Sequence, residues 1–130
     1  MKILVGYDGT NAARGALSLA LVHAKAFNAK TEVVTSLVGG EETGRKEIEE
    51  AEGGLDYAKS QFEAQGLDCE TRLLVRGMSP GEDIVRYAGE KGFDEIVIGV
   101  RRRSRVGKLL LGSTAQLIIM QAGCPVVAVK

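Results

Sequence analysis

A single α/β domain over residues 1–130, built on an open five-stranded parallel sheet with helices on both faces, is the fold class this sequence predicts. Three observations carry that prediction. Short apolar runs alternate with longer segments of helical period, giving five strands and four helices in strict alternation. The first run, Ile3 to Val5, is continuously apolar, as a strand buried on both faces is. Glycines punctuate the strand ends at Gly6, Gly39 and Gly99.

Each element follows from local residue choice. The first strand runs into the turn Gly6-Tyr7-Asp8-Gly9-Thr10. Ala13, Ala16, Leu17, Ala20, Ala24 and Phe27 then recur at helical spacing, with Thr10 or Asn11 placed to cap the helix start. Thr31 to Val38 is short and β-branched, and Gly39-Gly40 ends this second strand. Glu41 to Gln65 reads as a charged helix with Ile48, Ala51, Leu55, Ala58 and Phe62 on one face. Gly53-Gly54 weakens its middle by about 1 kcal/mol per glycine, and its acidic start is expected to fray. Leu67 to Arg76 is the third strand, Pro80 opens a helix that turns Ile84, Val85, Tyr87 and Ala88 inward, and Glu95 to Gly99 is the fourth strand. Ser113 to Gln121 forms the last helix, with Gly123 in the C-terminal stop position, and Pro125 to Val129 is the final strand. The expected strand order is 3-2-1-4-5; the 2-1-3-4-5 order of receiver and flavodoxin folds uses the same elements.

Composition narrows the function classes. At 45% hydrophobic and 26% charged residues, the chain has the makeup of a folded domain rather than a disordered one. Seventeen basic residues balance seventeen acidic ones, which removes the overall charge expected of a nucleic-acid or anionic-membrane binder. Cys69 and Cys124 lack CxxC spacing or a neighbouring histidine, against zinc or a redox pair and in favour of two buried thiols. The opening residues meet Asp8 too soon for a signal peptide, and no apolar run reaches the roughly 18 residues of a membrane span. A cytoplasmic location is expected.

Positive charge is concentrated in one place. From Gly99 to Thr114 the chain reads GVRRRSRVGKLLLGST, setting Arg101, Arg102, Arg103, Arg105 and Lys108 among glycines and hydroxyls. In the 3-2-1-4-5 order this segment floors the crevice beyond the first and fourth strands, where open α/β sheets take ligands. Gly99 lets backbone approach a ligand closely, and Gly112-Ser113-Thr114 opens a helix whose N–H groups and dipole favour an anion. Ser113 and Gln116 also have capping-box spacing, an alternative reading of the same residues.

Familiar chemistries do not fit this crevice. A Walker A loop needs a glycine where Arg102 stands and a hydroxyl where Leu109 stands, and the first turn lacks GxGxxG spacing. A phosphorylated receiver needs paired acids after the first strand and an aspartate ending the third, where the chain has Leu74-Val75-Arg76-Gly77. The single histidine, His23, lies well inside the first helix, and no GxSxG elbow is present.

The N-terminal KILVGYDGT, the Gly77-Met78-Ser79-Pro80 turn, the strand DEIVIGV, and Gly99 followed by Gly112-Ser113 together resemble the universal stress protein family over the whole chain. The resemblance implies an adenine nucleotide alpha hydrolase-like fold that binds ATP, with AMP or ADP as further ligands and magnesium or manganese as an accompanying ion. It places Gly6 and Asp8 against adenine or ribose, Val38 against adenine, Gly99 with Arg101, Arg102, Arg103 and Arg105 around the ribose and phosphates, and Gly112, Ser113 and Thr114 on the phosphates. Three of these assignments have structural alternatives: a turn role for Asp8, core packing for Val38, and a solvated face for the arginines. The family motif carries a second glycine where this chain has Arg102; its side chain either crowds the nucleotide or pairs with phosphate. The resemblance further implies a homodimer through Pro125 to Val129, at the sheet edge.

The expected function is therefore adenine-nucleotide binding in a stress-response or regulatory role. With no evident base beyond Asp8, any ATP hydrolysis or self-phosphorylation should be weak. The alternatives are a nucleotide-free dimeric interaction protein in which Arg102 occludes the pocket, and a small phosphate-dependent enzyme with an unfamiliar site.

Overall fold

The structure, a computed structural model, describes residues 1–100 and 111–130, and Glu42 through its backbone alone. Five parallel strands, β1 (Lys2–Gly6), β2 (Lys30–Leu37), β3 (Cys69–Val75), β4 (Glu95–Gly99) and β5 (Val126–Val129), form one sheet in the order β3-β2-β1-β4-β5. Four helices connect them: α1 (Asn11–Phe27), α2 (Arg45–Glu63), α3 (Pro80–Lys91) and α4 (Ser113–Gln121). The 3-2-1-4-5 order is thereby established over 2-1-3-4-5.

Strand residues alternate between the two faces, and each face has its own core. Ile3, Val5, Val33 and Val97 pack under α1 and α2, whose buried residues include Ala16, Leu17, Leu55, Ala58 and Phe62. Leu4, Val34, Ile96 and Ile98 pack under α3 and α4 through Ile84, Tyr87, Ala88 and Ile118. Because β1 is central and covered twice, Ile3, Leu4 and Val5 all have 0% exposure, which is why its apolar run is continuous. Val5 pairs with Val33 on one side and Val97 on the other.

Gly99 and Gly54 serve close packing near the site. A Cβ at Gly99 would come within 2.5 Å of the Ala13 amide nitrogen and 2.6 Å of the Ala12 carbonyl oxygen, so the end of β4 touches the first turn of α1 directly. The glycine expected to admit a ligand thus serves the helix–strand contact first. A Cβ at Gly54 would meet the Tyr7 ring at 3.2 Å, which explains a residue that costs helix propensity in mid-α2.

Several expected boundaries move. The acidic helix over 41–65 divides: Gly39 and Gly40 have φ of +91° and +70°, a short 3-10 turn covers Gly40–Glu42, and α2 begins at Arg45. Phe27 is 55% exposed instead of inward, because Asn28 takes the left-handed conformation and ends α1 there; its ring packs edge-on against His23. Gly123 is not the left-handed stop of α4, which closes at Ala122 in an extended conformation. Of the two thiols only Cys69 is buried, and that burial pushes its pKa up to about 11; Cys124 is half-buried and also raised by burial.

Buried charge is paired. Asp83, with 0% exposure, accepts from Arg76 Nε and from Ser36 Oγ, each at 2.6 Å. His23 Nδ1 lies 2.7 Å from Glu95 Oε1, a structural role for the histidine. Tyr87 donates its hydroxyl to Glu32, which also meets Arg72 at 3.4 Å; burial first, then that carboxylate, raise the phenol to about 12. No helix among the described residues is long and apolar enough to cross a membrane.

Gly99→Ala is expected to lower stability by roughly 1–3 kcal/mol in urea denaturation, since α1 and β4 must separate to admit the methyl group. A variant as stable as the wild type would show that this approach is slack.

Candidate functional site

A crevice of about 690 Å³ opens at the carboxyl ends of β1, β2 and β4, a volume suited to a small-molecule ligand. Its position follows from topology: the chain leaves β1 toward the α1 face and leaves β4 toward the α4 face, so the two connections part. One wall is the β1–α1 turn with one face of α2; the other is the start of α3 with the first turn of α4.

The structure brings together Gly6, Asp8, Gly99, Gly112, Ser113 and Thr114, all lining the crevice. Asp8 holds a turn: its Oδ1 accepts from the Thr10 amide at 3.1 Å and the Thr10 hydroxyl at 2.6 Å. Thr10 Oγ1 in turn accepts from Ala13 N at 3.2 Å, capping α1. The turn role weighed for this aspartate is therefore present, while Thr10 does the capping, and the turn also fixes the carboxylate at the crevice wall.

Ser113 does not form a capping box. Gly112 is the N-cap, with φ −66° and ψ 162°, and Ser113 is already the first helical residue. Gln116 N bonds to the Gly112 carbonyl at 3.0 Å. Gly112 has no side chain with which to cap the turn, so the α4 dipole and leading N–H groups open toward the crevice. Among the described residues, a Cβ at Gly112 would meet no atom within 4 Å, so packing against them does not demand this glycine.

Val38 stands apart. It follows β2, is 37% exposed and so not core-packed, and accepts from Gly77 N at 3.0 Å; its neighbour Leu37 lines the crevice instead. Arg101, Arg102, Arg103 and Arg105 lie outside the described residues.

Sequence reasoning missed the contribution of α2. Glu47, Glu50, Ala51 and Gly54 line the crevice, and their spacing of three, four and seven residues from Glu47 places them on one helical face. That signal was readable, yet it overlaps the apolar stripe that covers the sheet. Thr35 and Ser36 at the end of β2, and Pro80 and Ile84 in α3, complete the lining. The crevice is therefore bipolar, with carboxylates Asp8, Glu47 and Glu50 on one wall and the positive end of α4 on the other. Among the described residues, no group of three or more His, Cys, Asp or Glu is placed to hold a metal ion.

Comparison with known proteins identifies the family. The Universal stress protein family profile matches residues 1–130. A universal stress protein of Thermus aquaticus is 36% identical over 141 residues, covering 98% of this chain and 97% of the relative. A solved universal stress protein of Archaeoglobus fulgidus is 40% identical with a TM-score of 0.93, covering 100% of this chain and 98% of that one. A second structure from A. fulgidus, a universal stress protein in complex with dAMP, is 36% identical with a TM-score of 0.87 at the same coverage.

Thr10→Ala removes the α1 cap and the hydroxyl bond to Asp8, while the amide bond to Asp8 remains, and is expected to cost about 1 kcal/mol in urea denaturation. An unchanged midpoint would mean that the turn is held without the hydroxyl.

Proposed function

The chain belongs to the universal stress protein family, and from that membership and the bipolar crevice we propose that it binds an adenine nucleotide, ATP or its mono- and diphosphate, in a stress-response or regulatory role. The observation that carries the proposal is the start of α4, where Gly112, Ser113 and Thr114 open into the crevice with no side-chain cap at Gly112. Phosphate is the ligand group that such a helix end favours. The dAMP complex of the 36% identical A. fulgidus protein supports the same class of ligand here.

Phosphate at α4 directs the rest of the ligand toward the carboxylate wall. Asp8, Glu47 and Glu50 are acceptors, suited to ribose hydroxyls and the adenine amino group, while Gly6 and Gly99 form the floor. Arg101, Arg102, Arg103 and Arg105 are assigned to the phosphates on the family resemblance, with Arg102 pairing with phosphate in place of the family's glycine. A magnesium or manganese ion would arrive on the phosphates. With Asp8 bonded to Thr10, the site is better built to hold a nucleotide than to turn one over. The role is that of a cytoplasmic binding protein.

We also propose the homodimer through Pro125 to Val129. β5 is an edge strand, and Val126, Val127 and Val129 are only half-buried. The Pro125 and Val129 carbonyls bond to β4, so residues 126 and 128 between them turn their N–H groups outward for a partner strand.

Isothermal titration of ATP into nucleotide-stripped protein is expected to show binding that Gly112→Val abolishes, because a side chain at this N-cap would compete for the space where phosphate would sit. No binding by the wild type at millimolar ATP would favour the interaction protein with Arg102 in the pocket. For the dimer, Ala128→Pro removes an outward N–H and should sediment as a monomer; a wild type that is itself monomeric would refute the β5 interface.

A further inference from the structure

We infer that Asp83 is a positioning residue for the phosphate-binding turn of α4, acting through the first turn of α3; this rests on the reading of the crevice as a nucleotide site. The Asp83 carboxylate has 0% exposure. Such a group is tolerated only when fully partnered, and an apolar residue of similar size would bury at least as favourably. What the charge adds is direction.

Both oxygens are committed, Oδ1 to Arg76 Nε and Oδ2 to Ser36 Oγ. Arg76 Nη2 also donates to the Asp83 carbonyl oxygen at 3.2 Å, so one guanidinium holds both the side chain and the main chain of the same residue. Its Nη1 reaches Glu90 at 3.1 Å near the other end of α3, and its plane lies over the Tyr87 ring at 5.4 Å. Burial works against the charge on Arg76, and the hydrogen bonds to Asp83 and Glu90 outweigh it. The clamp therefore ties α3 to the residue that follows β3 and to Ser36, which lines the crevice.

The opposite side of the same α3 turn carries α4. A Cβ on Gly81 would lie 3.2 Å from the Thr114 carbonyl oxygen, 3.4 Å from Thr114 Cα and 3.3 Å from Leu117 Cβ. That contact leaves no room for α3 to move toward α4 unless Thr114 moves too. Asp83 thus fixes one side of a single helical turn whose other side seats the α4 start, two residues away in sequence. Displacing the α4 start would lengthen the N–H contacts that it offers a phosphate, which weakens them.

The test compares adenosine with AMP in titrations of wild type and Asp83→Asn, which keeps the shape and removes the charge. Loss of positioning weakens AMP about tenfold while adenosine changes less than about twofold, and the amide NMR signals of Ser113 to Ala115 shift in the ligand-free protein. Arg76→Gln, at a side chain 29% exposed, gives the same readout should Asp83→Asn fold poorly. Phe62→Leu, buried on the opposite face of the sheet, controls for lost stability and should leave the AMP-to-adenosine ratio unchanged. An Asp83→Asn protein that keeps the wild-type ratio, or loses both ligands equally, overturns the positioning role. A wild type that binds AMP no more tightly than adenosine overturns the nucleotide reading instead.

Discussion

The feature on which the rest of the structure depends is the reversal of strand order between β1 and β4. Right-handed crossovers require the helices that follow β1 and β2 to lie on one face of the sheet and those that follow β3 and β4 to lie on the other. With order β3-β2-β1-β4-β5, α1 and α2 cover one face and α3 and α4 the opposite one. Two neighbouring central strands then send their connections apart, and no helix can fill the gap at their carboxyl ends. The crevice follows from connectivity, independently of any residue that lines it. Residues enter at the next level, by deciding how closely the walls approach and what charge each presents.

Where an element is governed by local chemistry, its residues reveal it. β4 spans Glu95–Gly99 and α4 spans Ser113–Gln121, both as read from the sequence, because continuous apolar runs and helix-start residues act within a few positions. Thr10 caps α1 for the same reason. The start of α2 was less legible: glycines in the left-handed region break an acidic stretch that has no apolar period to mark where the helix begins. The end of β2 falls one residue earlier than the sequence suggested, so Val38 lies just past the strand, half-exposed, while Leu37 lines the crevice. Hardest to foresee was Asp83, since an acidic residue in the first turn of a helix is ordinarily a surface feature that complements the dipole. Its burial depends on Arg76 and on Ser36, forty-seven residues away in sequence.

Gly99 shows how one residue can be anticipated for an incomplete reason. A glycine that ends a central strand beside a crevice invites the conclusion that a ligand lies against it. In the structure the nearest atoms to its missing Cβ belong to Ala12 and Ala13. Both statements hold together because Gly99 also lines the crevice. Bringing α1 against β4 places the Asp8–Thr10 turn at the mouth of the crevice, so one missing methyl group serves both the packing and the shape of the crevice.

Gly112 carries the complementary argument. Among the described residues nothing within 4 Å would oppose a side chain there, so its backbone conformation and packing against them do not explain the choice of glycine. A serine or aspartate at the same N-cap would satisfy an N–H of α4, but its oxygen would occupy the space that an incoming anion needs. Glycine costs only a few tenths of a kcal/mol relative to those capping residues, a small loss against the usual benefit of a cap. On the nucleotide reading proposed above, the cap position is left for a phosphate group, and the placement of α4 then matters. A turn that offers its N–H groups to a ligand must be held by its neighbours rather than by its own cap. Gly81 against Thr114, backed by Asp83 and Arg76, supplies that support from α3.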